Sequence, residues 1–153
     1  MIAVGDVAPD FEGQTDRGDV LRLSGLRGHP VVLYFYPKAS SLGCTRESQE
    51  FAHRYPAFRE RNVQIVGVSV DDVASQRRFQ ERCSLPFPLV ADADREISRS
   101  YGVLGAFGLA RRVTFVLDAQ GRVAHVVDSI FPAPHANGVA RWLLGDASEP
   151  TKR

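Results

Sequence analysis

The stretch Val31-Val32-Leu33-Tyr34-Phe35-Tyr36-Pro37-Lys38-Ala39-Ser40-Ser41-Leu42-Gly43-Cys44-Thr45-Arg46-Glu47 decides the fold. Its first six residues are an unbroken β-branched and aromatic run stopped by a proline, the pattern of a buried central strand. Past the loop, residues 45–61 read as a helix, because Phe51, Tyr55 and Phe58 recur at i, i+4 and i+7 while Arg54, Arg59 and Glu60 fall elsewhere. Val63 to Val70 is a second apolar strand, ended by Asp71-Asp72. The connection between the two strands is long enough for a right-handed parallel crossover.

Working outward, residues 1–30 carry turn signals at Gly13, Asp16-Arg17-Gly18 and Gly25, and read as short strands and a hairpin closed by Gly28-His29-Pro30. Residues 73–83 form a second helix with Phe79, Phe87 to Val90 a short strand or loop, and Asp94 to Tyr101 a third helix. Val113–Leu117 and Val123–Val127 are a hairpin around Asp118-Ala119-Gln120-Gly121. The last helix holds Val139, Trp142 and Leu143, and residues 146–153 read as a frayed tail. This order predicts an α/β fold with a mixed central sheet flanked by helices and an N-terminal hairpin.

With 153 residues and 44% hydrophobic content, the chain is expected to be one domain, 1–153, with a core that needs no staples. Its 19 basic and 18 acidic residues are mixed along the chain, which argues against a nucleic-acid or polybasic membrane surface. No apolar run approaches the ~20 residues of a membrane span. The N-terminus lacks a basic region before an apolar stretch, so the expected location is cytoplasmic. Two cysteines are not a disulfide framework; each is either a small buried group or a reactive thiol.

Cys44 stands where a buried strand hands over to a helix, a corner at which α/β sheets commonly place sites. In the first helical turn, unsatisfied N–H groups and the positive end of the helix dipole favour a thiolate. Gly43 permits close backbone approach, and Ser41 puts a hydroxyl three residues before the sulfur. The alternative is an inert apolar cysteine that happens to open a helix.

YFYPKASSLGCTRE resembles the active-site segment of peroxiredoxins, Pro-x-x-x-Thr/Ser-x-x-Cys, with Pro37, Ser41 and Cys44 at the required spacing. The likeness continues through GDVAPDF at 5–11, VGVSVDD at 66–72, LPFPLVAD at 85–92 and RVTFVLDAQGRV at 112–123. It is nearest to the peroxiredoxin Q branch, also called bacterioferritin comigratory protein.

The resemblance implies a thioredoxin-like fold and a thiol peroxidase without cofactor or metal. Its substrate would be hydrogen peroxide or an organic hydroperoxide, its reductant a thioredoxin-like or other thiol donor, its state monomeric. It implies that Cys44 is the peroxidatic nucleophile and passes through a sulfenic acid. Ser41 would hydrogen-bond the peroxide oxygens, and Arg112 would supply a fixed cation. Pro37 would shield the sulfur, and Glu47 would orient the arginine. Arg111 competes with Arg112, since neighbours on a strand face opposite sides; the family register favours Arg112.

The chain departs from the branch pattern in reading Ser41-Leu42 where Thr-Pro is usual. It also has Gln49 where a resolving cysteine often stands. Cys83 is then either an internal resolving thiol or, at i+4 from Phe79, a small core residue beside a one-cysteine cycle.

Elsewhere, His29, His53, His125 and His135 have no metal-ligand spacing and read as surface or packing residues. Asp71-Asp72 resembles a helix N-cap. Gly102, Gly105 and Gly108 suggest a mobile loop, with Phe107 and Leu109 in core packing or, as the alternative, an exposed apolar surface near the site. A thioredoxin-type disulfide oxidoreductase would need a second thiol where Glu47 stands. A redox-sensing or chaperone-like binding protein is the non-enzymatic alternative, predicting slow peroxide reaction.

Overall fold

The computed structural model describes residues 1–131 and 133–144; the tail 146–153 lies outside the described residues. The elements are β1 (Glu12–Thr15), β2 (Val20–Arg22), β3 (Val31–Phe35), α1 (Leu42–Glu60), β4 (Gln64–Ser69), α2 (Val73–Cys83), β5 (Leu89–Ala91), α3 (Glu96–Ser100), β6 (Val113–Leu117), β7 (Val123–Asp128) and α4 (Ala133–Leu144). They build one seven-stranded sheet in the order β2-β1-β5-β4-β3-β6-β7. β3, β4 and β5 run parallel, and the remaining pairs are antiparallel. The mixed sheet, the N-terminal hairpin and the parallel crossover through α1 therefore stand as the sequence pattern predicted.

The run at β3 is apolar throughout because both faces of the sheet are covered. Alternate side chains serve opposite cores. Val32, Tyr34 and Tyr36 pack with Phe51 and Phe58 of α1, Phe79 of α2, and Ala136 and Val139 of α4. Val31, Leu33 and Phe35 pack with Phe115 of β6 and, past the other face, with Ile97 and Tyr101. Tyr34 and Phe51 lie 4.7 Å apart by ring centroid, which seats α1 on the sheet just below its N-terminal turns. Each such ring contributes roughly 1.5–3 kcal/mol by burial. Gly67 in β4 belongs to the same packing, since a Cβ there would stand 2.9 Å from the Tyr34 ring.

Several boundaries differ from the sequence reading. Helix α1 begins at Leu42 rather than 45, because Ser41 caps it and three further residues join its first turn. Helix α3 is one turn only: Arg95 takes a left-handed backbone, and the Asp92 carboxylate accepts from Ile97 N and Ser98 N. Asp72 caps α2 by accepting from Ser75 N, as its position suggested. Phe107 is a correction. It stands in solvent at 97% exposure rather than in the core, because its backbone turns left-handed (φ 62°). Trp142, on the apolar stripe of α4, is half exposed and stacks on the His125 ring at 5.3 Å.

Candidate active site

The site assembles where β3 ends, α1 begins and the strand after the glycine loop enters the sheet. The Ser41 hydroxyl is the N-cap of α1: it accepts from Cys44 N at 3.4 Å and donates to Lys38 O at 2.9 Å. Cys44 thus falls in the first helical turn, its side chain fully buried against the aromatic cluster. Pro37 lies two residues past the end of β3 and opens the loop that leads to α1. That loop is held from below by Asp71, whose carboxylate accepts from Ala39 N at 2.7 Å and Ser69 Oγ at 2.6 Å. The network continues inward, with Gln76 Nε2 donating to Ser69 Oγ at 3.0 Å and Tyr36 OH donating to Gln76 Oε1 at 2.6 Å.

Arg112 reaches across from the entry to β6. Its Nη2 donates to Cys44 Sγ at 3.4 Å, its Nη1 to Glu47 Oε1 at 2.6 Å, and its Nε to Ile130 O at 3.3 Å. Arg111 turns the opposite way, to a two-pronged contact with Asp128 at 2.8–2.9 Å. The two side chains diverge just ahead of β6, and of the two only Arg112 touches the sulfur. Glu47 lies one helical turn after Cys44 and is fully buried. Burial pushes its carboxyl up to about 8, against the downward pull of the Arg112 guanidinium. The two effects oppose each other, and burial is the larger.

The structure thus brings Cys44, Ser41, Arg112 and Glu47 together, with Pro37 in the loop between β3 and α1. Cys83 is elsewhere: it ends α2, is half buried, and packs at the margin of the same apolar cluster. Both cysteines are free thiols, and burial pushes the Cys83 thiol up. Two residues of the site were missed by sequence reasoning. Asp71 was read only with Asp72 as a cap. His135 was assigned to surface or packing, yet it is fully buried with Nδ1 3.5 Å from Glu47 Oε2. The available signal was its spacing of four from Val139, which puts it on the inward stripe of α4. Among the described residues, no group of three His, Cys, Asp or Glu is placed to hold a metal ion.

A cysteine beneath a guanidinium at a helix N-terminus, on a thioredoxin-like sheet, defines a thiol peroxidase. The chain belongs to the AhpC/TSA family, which it matches over residues 4–126. Within that family, relatives at 30–35% identity over most of the chain bear the names peroxiredoxin Q and peroxiredoxin Bcp. It is 34% identical over 151 residues to a putative peroxiredoxin bcp of Coxiella burnetii, covering 94% of this chain and 97% of the relative. The crystal structure of peroxidoxin BcpB from Mycobacterium tuberculosis superposes with a TM-score of 0.85 at 34% identity, covering 100% and 99% of the two chains. Bacterioferritin comigratory protein of Xanthomonas campestris, studied for alkyl peroxide reduction, gives 0.85 at 30% identity over 96% and 98%. No helix among the described residues is long and apolar enough to cross a membrane.

Proposed function

We propose that Cys44 is the peroxidatic nucleophile, reducing hydrogen peroxide and organic hydroperoxides, with Arg112, Ser41, Glu47 and Pro37 as its supporting residues. The observation that carries this reading is the 3.4 Å contact between Arg112 Nη2 and the buried Cys44 Sγ. A guanidinium there stabilises the thiolate, and a fixed cation beside the sulfur also stabilises charge that develops on the departing oxygen. The thiolate attacks one peroxide oxygen. A sulfur–oxygen bond forms, the oxygen–oxygen bond breaks, and the departing alkoxide or hydroxide takes up a proton. The product is a Cys44 sulfenic acid. Ser41, whose hydroxyl already exchanges hydrogen bonds with Lys38 O and Cys44 N, would hydrogen-bond the peroxide oxygens in this reading.

The sulfenic acid then condenses with a thiol, releasing water and leaving a disulfide. Cys83 is the resolving thiol in this reading, because it is the chain's other cysteine and borders the same cluster as Cys44. The end of α2 must open for the two sulfurs to meet, since a disulfide needs Cα atoms within about 7 Å. A thioredoxin-like dithiol would return both cysteines to thiols. The same reading makes the protein a cytoplasmic monomer, formed of one domain over 1–153, with no nucleic-acid or membrane partner.

The test is peroxide consumption with a dithiol donor, using Cys44→Ser as control. Turnover that survives in Cys44→Ser would overturn the reading. Intact-mass analysis after one equivalent of peroxide checks the recycling step. Loss of both free thiols as one internal disulfide is expected, and a lasting sulfenic acid with Cys83 still free would contradict it.

A further inference from the structure

His135 is fully buried on α4, beside the Glu47 carboxyl. Its Nε2 lies 2.7 Å from Ser129 O, and a carbonyl only accepts, so Nε2 carries a hydrogen. Its Nδ1 lies 2.7 Å from Thr114 Oγ1 and 3.5 Å from Glu47 Oε2. That carboxyl oxygen is buried and has no hydrogen-bond partner. A buried carboxyl oxygen without a partner is costly; one proton between it and Nδ1, with Thr114 Oγ1 beside them, removes that cost. The contacts close into a ring. Ser129 precedes Ile130, whose carbonyl accepts from Arg112 Nε, while Arg112 Nη1 returns to Glu47 Oε1.

We propose that His135 is a positioning residue of the peroxidatic centre: it shares one proton with Glu47 and thereby locks the carboxyl and the 129–130 loop that hold Arg112 on Cys44. The charged and titratable groups facing it are Glu47 from α1, Arg112 from the entry to β6 and Asp128 from the end of β7. Burial pushes the imidazole down and the carboxyl up, which favours the proton on Glu47, with Nδ1 as its acceptor.

The inference rests on the peroxidase reading, but its test needs no peroxide. Cys44 is alkylated in a Cys83→Ser background at neutral pH, and rates are compared across His135→Gln, His135→Asn and His135→Leu. A glutamine amide reaches the Nε2 position and keeps only Ser129; an asparagine amide reaches the Nδ1 position and keeps a partner for Glu47. Gln and Leu should slow alkylation about tenfold, with recovery as the pH is raised, whereas Asn should restore most of the rate. The infrared band of a protonated carboxyl should persist at neutral pH, vanish in Glu47→Gln and shift in His135→Gln. Wild-type alkylation in a folded Gln or Leu variant would overturn the proposal. So would equal slowing in Gln and Asn, the mark of a merely structural role. A wild-type protein inert to peroxide but showing this pattern would refute the peroxidase reading and leave the inference standing.

Discussion

Replacing Arg112 by methionine removes the cation from the sulfur while keeping an unbranched apolar stem of similar reach. A hydrogen bond to a charged group contributes roughly 1.5–3 kcal/mol. The unscreened pair sets an upper bound: two unit charges at 3.4 Å attract by about 5 kcal/mol at an effective dielectric of ~20. Water entering beside the sulfur will recover part of that. At about 1.4 kcal/mol per tenfold, the net expectation is a fall of roughly a hundredfold in the rate constant for Cys44 oxidation. Stopped-flow mixing with hydrogen peroxide under single-turnover conditions measures that step alone. Circular dichroism on the same samples establishes that the fold persists. Arg112→Lys keeps the charge without the rigid fork and should fall between wild type and methionine. A folded Arg112→Met variant within threefold of wild type would refute the charge argument.

Three further outcomes are expected. Because burial raises the Glu47 carboxyl to about 8, the native state keeps a proton that the unfolded chain releases near pH 4.5. Wild-type stability should therefore fall as pH rises across that window and level off above it, by an order of a few kcal/mol. Urea titrations of Glu47→Gln, which lacks the group, should not show this slope, and parallel slopes would exclude it. Ser41→Ala removes the N-cap of α1 and should cost about 1 kcal/mol by thermal denaturation; an unchanged melting temperature would show that the cap carries nothing. Asp71→Ala leaves Ala39 N and Ser69 Oγ without their acceptor. It should lower stability by roughly 1–3 kcal/mol and slow Cys44 oxidation by loosening the 37–41 loop; wild-type values in both assays would dismiss the loop support.

The sheet was legible because its strands are dense apolar runs and its long helix is amphipathic, features set by local periodicity. The 31–47 stretch alone implied a buried strand, a turn and a helix with a cysteine in its first turn. Boundaries set by single side chains were less legible. Ser41 draws Leu42, Gly43 and Cys44 into α1 through its own oxygen, and Asp92 shortens α3 from outside the helix. Phe107 misled because hydrophobicity predicts burial only where the backbone can turn inward, and its left-handed φ turns it out. Cys44, Ser41 and Glu47 are near one another in sequence, and Arg112 was reached by register. His135 joins them from α4 through a contact spanning nearly ninety positions, which no local pattern encodes.

The most direct test of the account is to trap the product of the first step. Cys83→Ser protein is mixed with one equivalent of hydrogen peroxide and then with a sulfenic-acid-specific nucleophile, and the adduct is mapped by peptide mass spectrometry. The account predicts one adduct, on Cys44, formed rapidly in the parent protein and lost in Arg112→Met on the same timescale. An unmodified Cys44 with peroxide left unconsumed would contradict it.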